Sequence, residues 1–137
     1  MPCFLYDPRK PVSATTDRMV LTTDFSATLL SLAGLEVPDS VTGRDLTVLQ
    51  ADPQAPWRDD FLYTHPYGHG GKIPRTLGVR TERYVYTRYI DNNPPFEQLF
   101  DLSNDPDQLD NLADDPRHAK LLDRLRARCD TLCDECK

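Results

Sequence analysis

The last segment of the chain carries the strongest constraint. His118, Leu122, Leu125, Cys129, Leu132 and Cys136 recur at spacings of four and three. Residues so spaced share one face of a helix, and a stripe of that kind must be covered by another element. The spacing predicts a helix over about 115–134, with Asp114 or Asp115 as its cap and Pro116 in its first turn. Its partner is legible upstream. Residues 78–90 alternate, with Tyr84, Tyr86 and Ile90 facing one way and Val85, Thr87 and Tyr89 the other. Thr81-Glu82-Arg83 reads as the turn of a hairpin. Phe61–Tyr63 and Glu97–Leu102 add two strands, the second with Phe100 and Leu102 on one face. The expectation is an antiparallel meander with the closing helix laid across it, an α+β arrangement.

The first part of the chain reads differently. Cys3–Tyr6 is a short continuous apolar run closed by Asp7-Pro8. Such a run suits a strand buried on both faces, the kind found inside a parallel sheet. Phe25, Leu29, Leu32 and Ala33 repeat at helical spacing, which predicts a helix over 24–33. Thr23 or Asp24 is its expected cap, and Gly34 its expected left-handed stop. Most of the twelve prolines fall between these periodic stretches, with loops over 37–43 and 52–56.

Composition excludes several classes. Hydrophobic residues at 39% and charged residues at 28% argue against intrinsic disorder. No apolar run reaches the ~18–20 residues of a membrane-spanning helix. A net charge of −6 with no basic run argues against binding nucleic acid through its phosphates. Met1 to Asp7 has neither the basic lead nor the apolar length of a secretory signal, and location stays open.

Three groups of chemically capable residues stand out. Cys129, Cys133 and Cys136 form C-x3-C-x2-C, a spacing by which thiolates hold an iron–sulfur cluster. Here it lies at the end of a helix, with Cys129 and Cys136 on the apolar stripe, so packing is the expected role. The stretch Thr64–Thr76 holds His65, His69, Lys72 and Arg75 between Pro66 and Pro74. Cations on such a loop suit an anion or a sugar, and Arg suits one bidentately. Zinc at His65 and His69 is disfavoured because Gly70-Gly71 breaks the helix that would align them. The carboxylates at 59–60, 105–110 and 114–115 read as turn and cap residues. No G-x-S-x-G, P-loop or G-x-G-x-x-G is present.

Three stretches, taken in order, carry a resemblance. They are Thr23-Asp24-Phe25-Ser26-Ala27-Thr28-Leu29-Leu30-Ser31-Leu32-Ala33-Gly34 with Val37-Pro38 and Gly43-Arg44-Asp45-Leu46; Gly78-Val79-Arg80-Thr81-Glu82-Arg83-Tyr84-Val85-Tyr86; and Gln98-Leu99-Phe100-Asp101-Leu102 with Asn104-Asp105-Pro106 and Asn111-Leu112-Ala113. In this order the chain resembles the C-terminal portion of type I, formylglycine-dependent sulfatases of the bacterial arylsulfatase and glycan-sulfatase kind. The resemblance implies a large α/β domain related to alkaline phosphatase, followed by a C-terminal subdomain with an antiparallel sheet of about four strands and a closing helix. Residues 1–56 would be the end of the large domain and 57–137 the subdomain.

The resemblance also implies sulfate-ester hydrolysis of sulfated glycans. In the family a cysteine in C-x-[PA]-x-R becomes formylglycine, and a calcium ion held by Asp and Asn polarises the sulfate. Neither Cys3 nor Cys129 stands in that motif, and the metal motifs have no counterpart here. The expectation is therefore a C-terminal fragment, inactive alone, with no catalytic residue, metal site or cofactor of its own. Its partners would be the missing N-terminal sulfatase domain and a sulfated sugar. His65, Lys72, Arg75 and His69 are the candidate substrate contacts. Sulfatases of this kind are often exported, while the Cys cluster leans toward a reducing compartment. Two other readings compete: a stand-alone partner-binding or scaffold module, and a metal or redox protein using the C-terminal cysteines.

Overall fold

The computed structural model describes residues 4–13, 15–67 and 73–135. The chain divides into two compact units, Met1–Arg58 and Asp59–Lys137.

In the first unit, α1 spans Thr22–Leu32 and a short α2 spans Thr47–Ala51. Helix α1 starts two residues earlier than its apolar spacing predicts. Its cap is Leu21 in extended backbone, and neither Thr23 nor Asp24 stands at that position. Asp24, one turn in, reaches back and accepts the Leu21 N–H at 2.7 Å. The other end follows the sequence reading. Gly34 takes φ +71°. Its N–H donates to the Ser31 carbonyl, and the Leu35 N–H to that of Leu30, both at 3.0 Å. Those two bonds are the Schellman pattern, which a residue with a Cβ enters at a cost of ~1 kcal/mol.

The face α1 buries differs from the predicted stripe. Asp24, Ala27 and Thr28 are buried, whereas Leu29 is exposed. Thr28 Oγ1 donates to the Asp24 carbonyl at 2.7 Å and accepts the Leu46 N–H at 2.9 Å. Leu46, Leu49 and Ala55 form a small core beside it, with Val20, Phe25 and Trp57 packed around them. The strand expected over Cys3–Tyr6 is not formed. Cys3 lies outside the described residues, and 4–6 are irregular and exposed, Phe4 at 93%. A two-sided buried strand needs neighbouring strands to satisfy its backbone, and the described residues of this unit contain none.

The second unit holds the predicted meander. Strands β1 (Asp60–His65), β2 (Thr76–Thr81), β3 (Tyr84–Tyr89) and β4 (Phe96–Asp101) pair antiparallel in the order β1-β2-β3-β4. The hairpin between β2 and β3 turns over Glu82 and Arg83, where Thr81 Oγ1 accepts the Tyr84 N–H at 2.8 Å. Leu62 pairs with Val79, Val79 with Tyr86 and Tyr86 with Leu99. One apolar row therefore crosses all four strands. Helix α3 (Ala119–Glu135) lies against β1, β2 and β3 and buries Leu122, Leu125 and Cys129 over that row.

On β4 the helix-facing residue is the fully buried Leu99. Phe100 points to the other face, and Leu102 lies beyond the strand end. The helix begins with the 3-10 turn Pro116–His118, capped by Asp115, which accepts the Arg117 N–H at 2.9 Å. The outer edge of β4 is covered by Asn111 and Leu112. Asn111 Oδ1 accepts the Leu99 N–H at 2.9 Å, and Leu112 donates to the Leu99 carbonyl at 2.8 Å. An edge so occupied cannot pair with another chain there.

Ion pairs fasten α3 to the sheet. Arg128 holds Asp60 through two bonds at 2.6 and 2.9 Å. Arg126 holds Glu97, whose Oε1 also accepts the buried Tyr86 hydroxyl at 2.5 Å. The Arg126 guanidinium keeps the Glu97 carboxyl below its ordinary range. Burial, followed by the hydrogen bond to Glu97, pushes the Tyr86 hydroxyl up.

Candidate functional site

The loop between β1 and β2 leaves the sheet after His65 and returns before Thr76, and those two residues pair. Thr76 pairs with Tyr89, and Tyr89 with Phe96. One row, His65–Thr76–Tyr89–Phe96, thus crosses the end of the sheet. Because side chains alternate along a strand, it lies on the face away from α3. The Tyr89 and Phe96 rings sit 5.5 Å apart at 43°, and the Tyr89 hydroxyl donates to Gln98 Oε1 at 2.8 Å.

Arg75 arrives at the same sheet end already engaged. Its backbone N–H and its Nε each donate to Asp91, both at 2.7 Å. Its Nη2 adds a contact to Asp91 Oδ1 at 2.6 Å. The Arg75 carbonyl accepts the Ile90 N–H at 3.1 Å. The Arg75 hydrogen bonds hold the Asp91 carboxyl below the usual range. The sequence alone offers Arg75 as a loop cation for an anion or a sugar. The structure makes it half of an ion pair, with Nε and Nη2 on one Asp91 oxygen and the backbone N–H on the other, that ties the base of the loop to the segment after β3. The missed partner had one available signal: the β2–β3 register places the residue before β2 opposite those just after β3. His65 and Arg75 are thus brought to one place, while His69 and Lys72 lie outside the described residues.

The cysteines point elsewhere. Cys129 is fully buried among Tyr86, Leu99 and Leu125, and burial raises its thiol pKa. Cys133, one turn on, is half-buried, and Cys136 lies outside the described residues. Among the described residues no three His, Cys, Asp or Glu side chains converge as metal ligands. The residues described here therefore do not fit a calcium site. The first unit has a surface cavity of about 770 Å³ lined by residues that include Asp7, Arg9, Lys10, Val48 and Gln50. The Arg9 guanidinium donates to Asp7 at 2.9 and 3.0 Å and to the Leu32 carbonyl at 3.3 Å. Among the described residues no helix is long and apolar enough to cross a membrane.

The sequence profile of the family described as N-sulphoglucosamine sulphohydrolase, C-terminal, matches residues 1–135. The chain belongs to this sulfatase C-terminal family. It is 33% identical over 131 residues to a Delta 4,5-hexuronate-2-O-sulfatase of Bacteroides thetaiotaomicron, covering 89% of this chain and 25% of that protein. It is 28% identical over 130 residues to an arylsulfatase of Clostridium perfringens, covering 92% of this chain and 26% of that protein. The solved structure of a 2-O GAG sulfatase superposes with a TM-score of 0.71 at 30% identity, over 82% of this chain and 24% of that one. The sulfatase C-terminal chain thus spans about a quarter of the length of the curated relatives it matches. Its four-stranded antiparallel sheet and closing helix are the α+β arrangement that the resemblance implied.

Proposed function

We propose that this chain is the C-terminal part of an enzyme that hydrolyses sulfate esters of glycans. The observation that carries the reading is the family match along 1–135, joined to relatives whose names place them on sulfated sugars and aryl sulfates. Residues 1–56 are read as the end of the large α/β domain and 57–137 as the C-terminal subdomain. The nucleophile and the calcium ligands are assigned to sequence outside these residues, since no C-x-[PA]-x-R motif occurs here. Within the chain the loop end of the sheet is the proposed substrate-facing surface. His65, Lys72, Arg75 and His69 are its proposed contacts, with Arg75 acting through the Asp91 pair. Cations and hydrogen-bond donors on a rigid sheet end suit the carboxylates, hydroxyls and secondary sulfates of a charged sugar.

The test starts from the DNA. The reading frame upstream of the Met1 codon is sequenced and the whole frame expressed. Sulfate release is then measured by ion chromatography on sulfated hexuronides, sulfated amino sugars and aryl sulfates. The expected result is a formylglycine motif upstream and release from at least one sugar, absent in the chain alone. Alanine at His65, Lys72, Arg75 and His69 together is expected to raise KM at least tenfold on that sugar. A frame that starts at Met1, or a whole-frame product that releases no sulfate, overturns the reading. It would leave the chain as a partner-binding module.

A further inference from the structure

Large exposed apolar side chains in the second unit are concentrated in one place. Tyr67 is 74% exposed, Ile73 47% and Phe96 47%, and all three stand at the sheet end that the β1–β2 loop leaves. Leu109, 81% exposed, stands apart on the segment after β4. The same sheet end carries the Tyr89–Phe96 ring pair, 5.5 Å between centroids, and, one residue outward from the Thr76–Tyr89 pairing, the partly exposed Arg75–Asp91 ion pair. Aromatic rings and a guanidinium–carboxylate pair at one sheet end suit a pyranose, which has one apolar C–H face and a rim of hydroxyls. Guanidinium offers five N–H donors and a carboxylate about four acceptor positions, more than the pair itself uses. The row from β1 to β4 crosses three inter-strand steps of ~4.8 Å, roughly 14 Å in all, which exceeds one sugar ring.

We infer that this sheet end is an oligosaccharide subsite, in which the Tyr89–Phe96 rings stack on a pyranose ring and the Arg75–Asp91 pair binds its hydroxyls. The inference rests on the glycan-sulfatase reading and sharpens it. The substrate is a chain of sugars that extends past the sulfated ring, and neither a lone monosaccharide sulfate nor an aryl sulfate fills the row.

The test is a titration of the whole 137-residue chain, carbon-13 labelled, followed by NMR of its aromatic rings. The probes are tetrasaccharides from heparin, chondroitin sulfate and ulvan, and glucosamine 6-sulfate as the single-ring comparison. The Tyr89 and Phe96 ring signals are expected to move with at least one tetrasaccharide and to stay in place with the monosaccharide. Phe96→Leu keeps an apolar side chain and removes the ring, so it should weaken tetrasaccharide binding about fivefold. Leu109→Ala, which removes an exposed side chain elsewhere in the unit, should bind like the parent. Ring signals unmoved by all three tetrasaccharides overturn the subsite, as does Phe96→Leu binding like the parent. Sulfate release is not read here, so either result leaves the sulfatase reading standing. Conversely, ring shifts in a chain whose whole frame releases no sulfate keep the subsite and remove the hydrolysis.

Discussion

Arg58 grips Asp24 with both terminal nitrogens, each 2.6 Å from a carboxylate oxygen, and both side chains are buried. The pair closes the first unit. Asp24 also accepts the backbone N–H of Arg44 at 2.8 Å and that of Leu21 at 2.7 Å. Arg58 donates to the Met19 carbonyl at 3.0 Å and lies 5.0 Å over the Trp57 ring. Burial alone would raise the Asp24 carboxyl, but the Arg58 guanidinium and the two N–H groups outweigh it and hold it low. Three separate stretches thus meet on one carboxylate: the start of α1, Arg44 and Arg58.

Arg58→Met should therefore destabilise the first unit by about 3 kcal/mol or more, because it leaves a buried carboxylate without its counter-charge. Trp57 is the only tryptophan. Its fluorescence during urea unfolding reports this unit directly. The double variant Asp24→Leu with Arg58→Met should recover only part of the loss, since the Arg44 and Leu21 N–H groups then lack an acceptor.

Gly43 has a distinct reason to be glycine. A Cβ there would collide with the Thr23 carbonyl and the Asp24 N–H, which are backbone and cannot swing aside. At Gly78 the colliding group is the Tyr63 ring, a side chain. Gly43→Ala should cost about 2 kcal/mol and Gly78→Ala less. Paired thermal melts of the two variants check the order.

Cys129 and Cys133 should differ in reactivity although they lie one turn apart. Thiolate is the reactive form, and burial raises the Cys129 pKa, so at neutral pH its thiol stays protonated and covered. Peptide mapping after brief thiol labelling should find Cys133 modified and Cys129 modified only in urea. Cys129→Ser should cost about 1–3 kcal/mol, by placing a hydroxyl in an apolar core. Cys133→Ser should be close to neutral.

Asp101 should contribute to the acid limb of unfolding. Its carboxyl is held at about 2, from an ordinary 3.8, chiefly by the Arg83 hydrogen bonds at 2.8 and 2.7 Å. A carboxyl lowered in the folded state adds stability that is complete above about pH 4 and fades as pH falls toward 2. Asp101→Asn should therefore be less stable than the parent at pH 6, with the difference shrinking between pH 4 and 2. Stability against pH for the two proteins, plotted as a difference, checks the sign.

Local pattern was enough for much of the second unit. The stripe from His118 to Leu132, the alternation in 78–90 and the turn at Glu82-Arg83 depend on neighbours in the chain, and period alone reveals them. Gly34 as a helix stop is equally local. The ordered stretches from Thr23 to Ala113 carried the family resemblance. What period does not encode is which partner a side chain meets across the fold. Leu99, and not Phe100, covers the core because the register with Tyr86 puts it there. Asp91 neutralises Arg75, and Arg58 pairs with Asp24 across 34 positions, because folding brings distant charges into hydrogen-bond reach. Helix α1 buries Asp24 and Thr28 while Leu29 stays exposed, the reverse of what hydrophobic spacing alone predicts, since satisfied polar groups can occupy an interior that apolar ones leave. The sequence alone determined the meander, the closing helix and the family; the tertiary structure decided the charge pairs and the Tyr89–Phe96 ring pair, because those depend on distances between residues far apart in the chain.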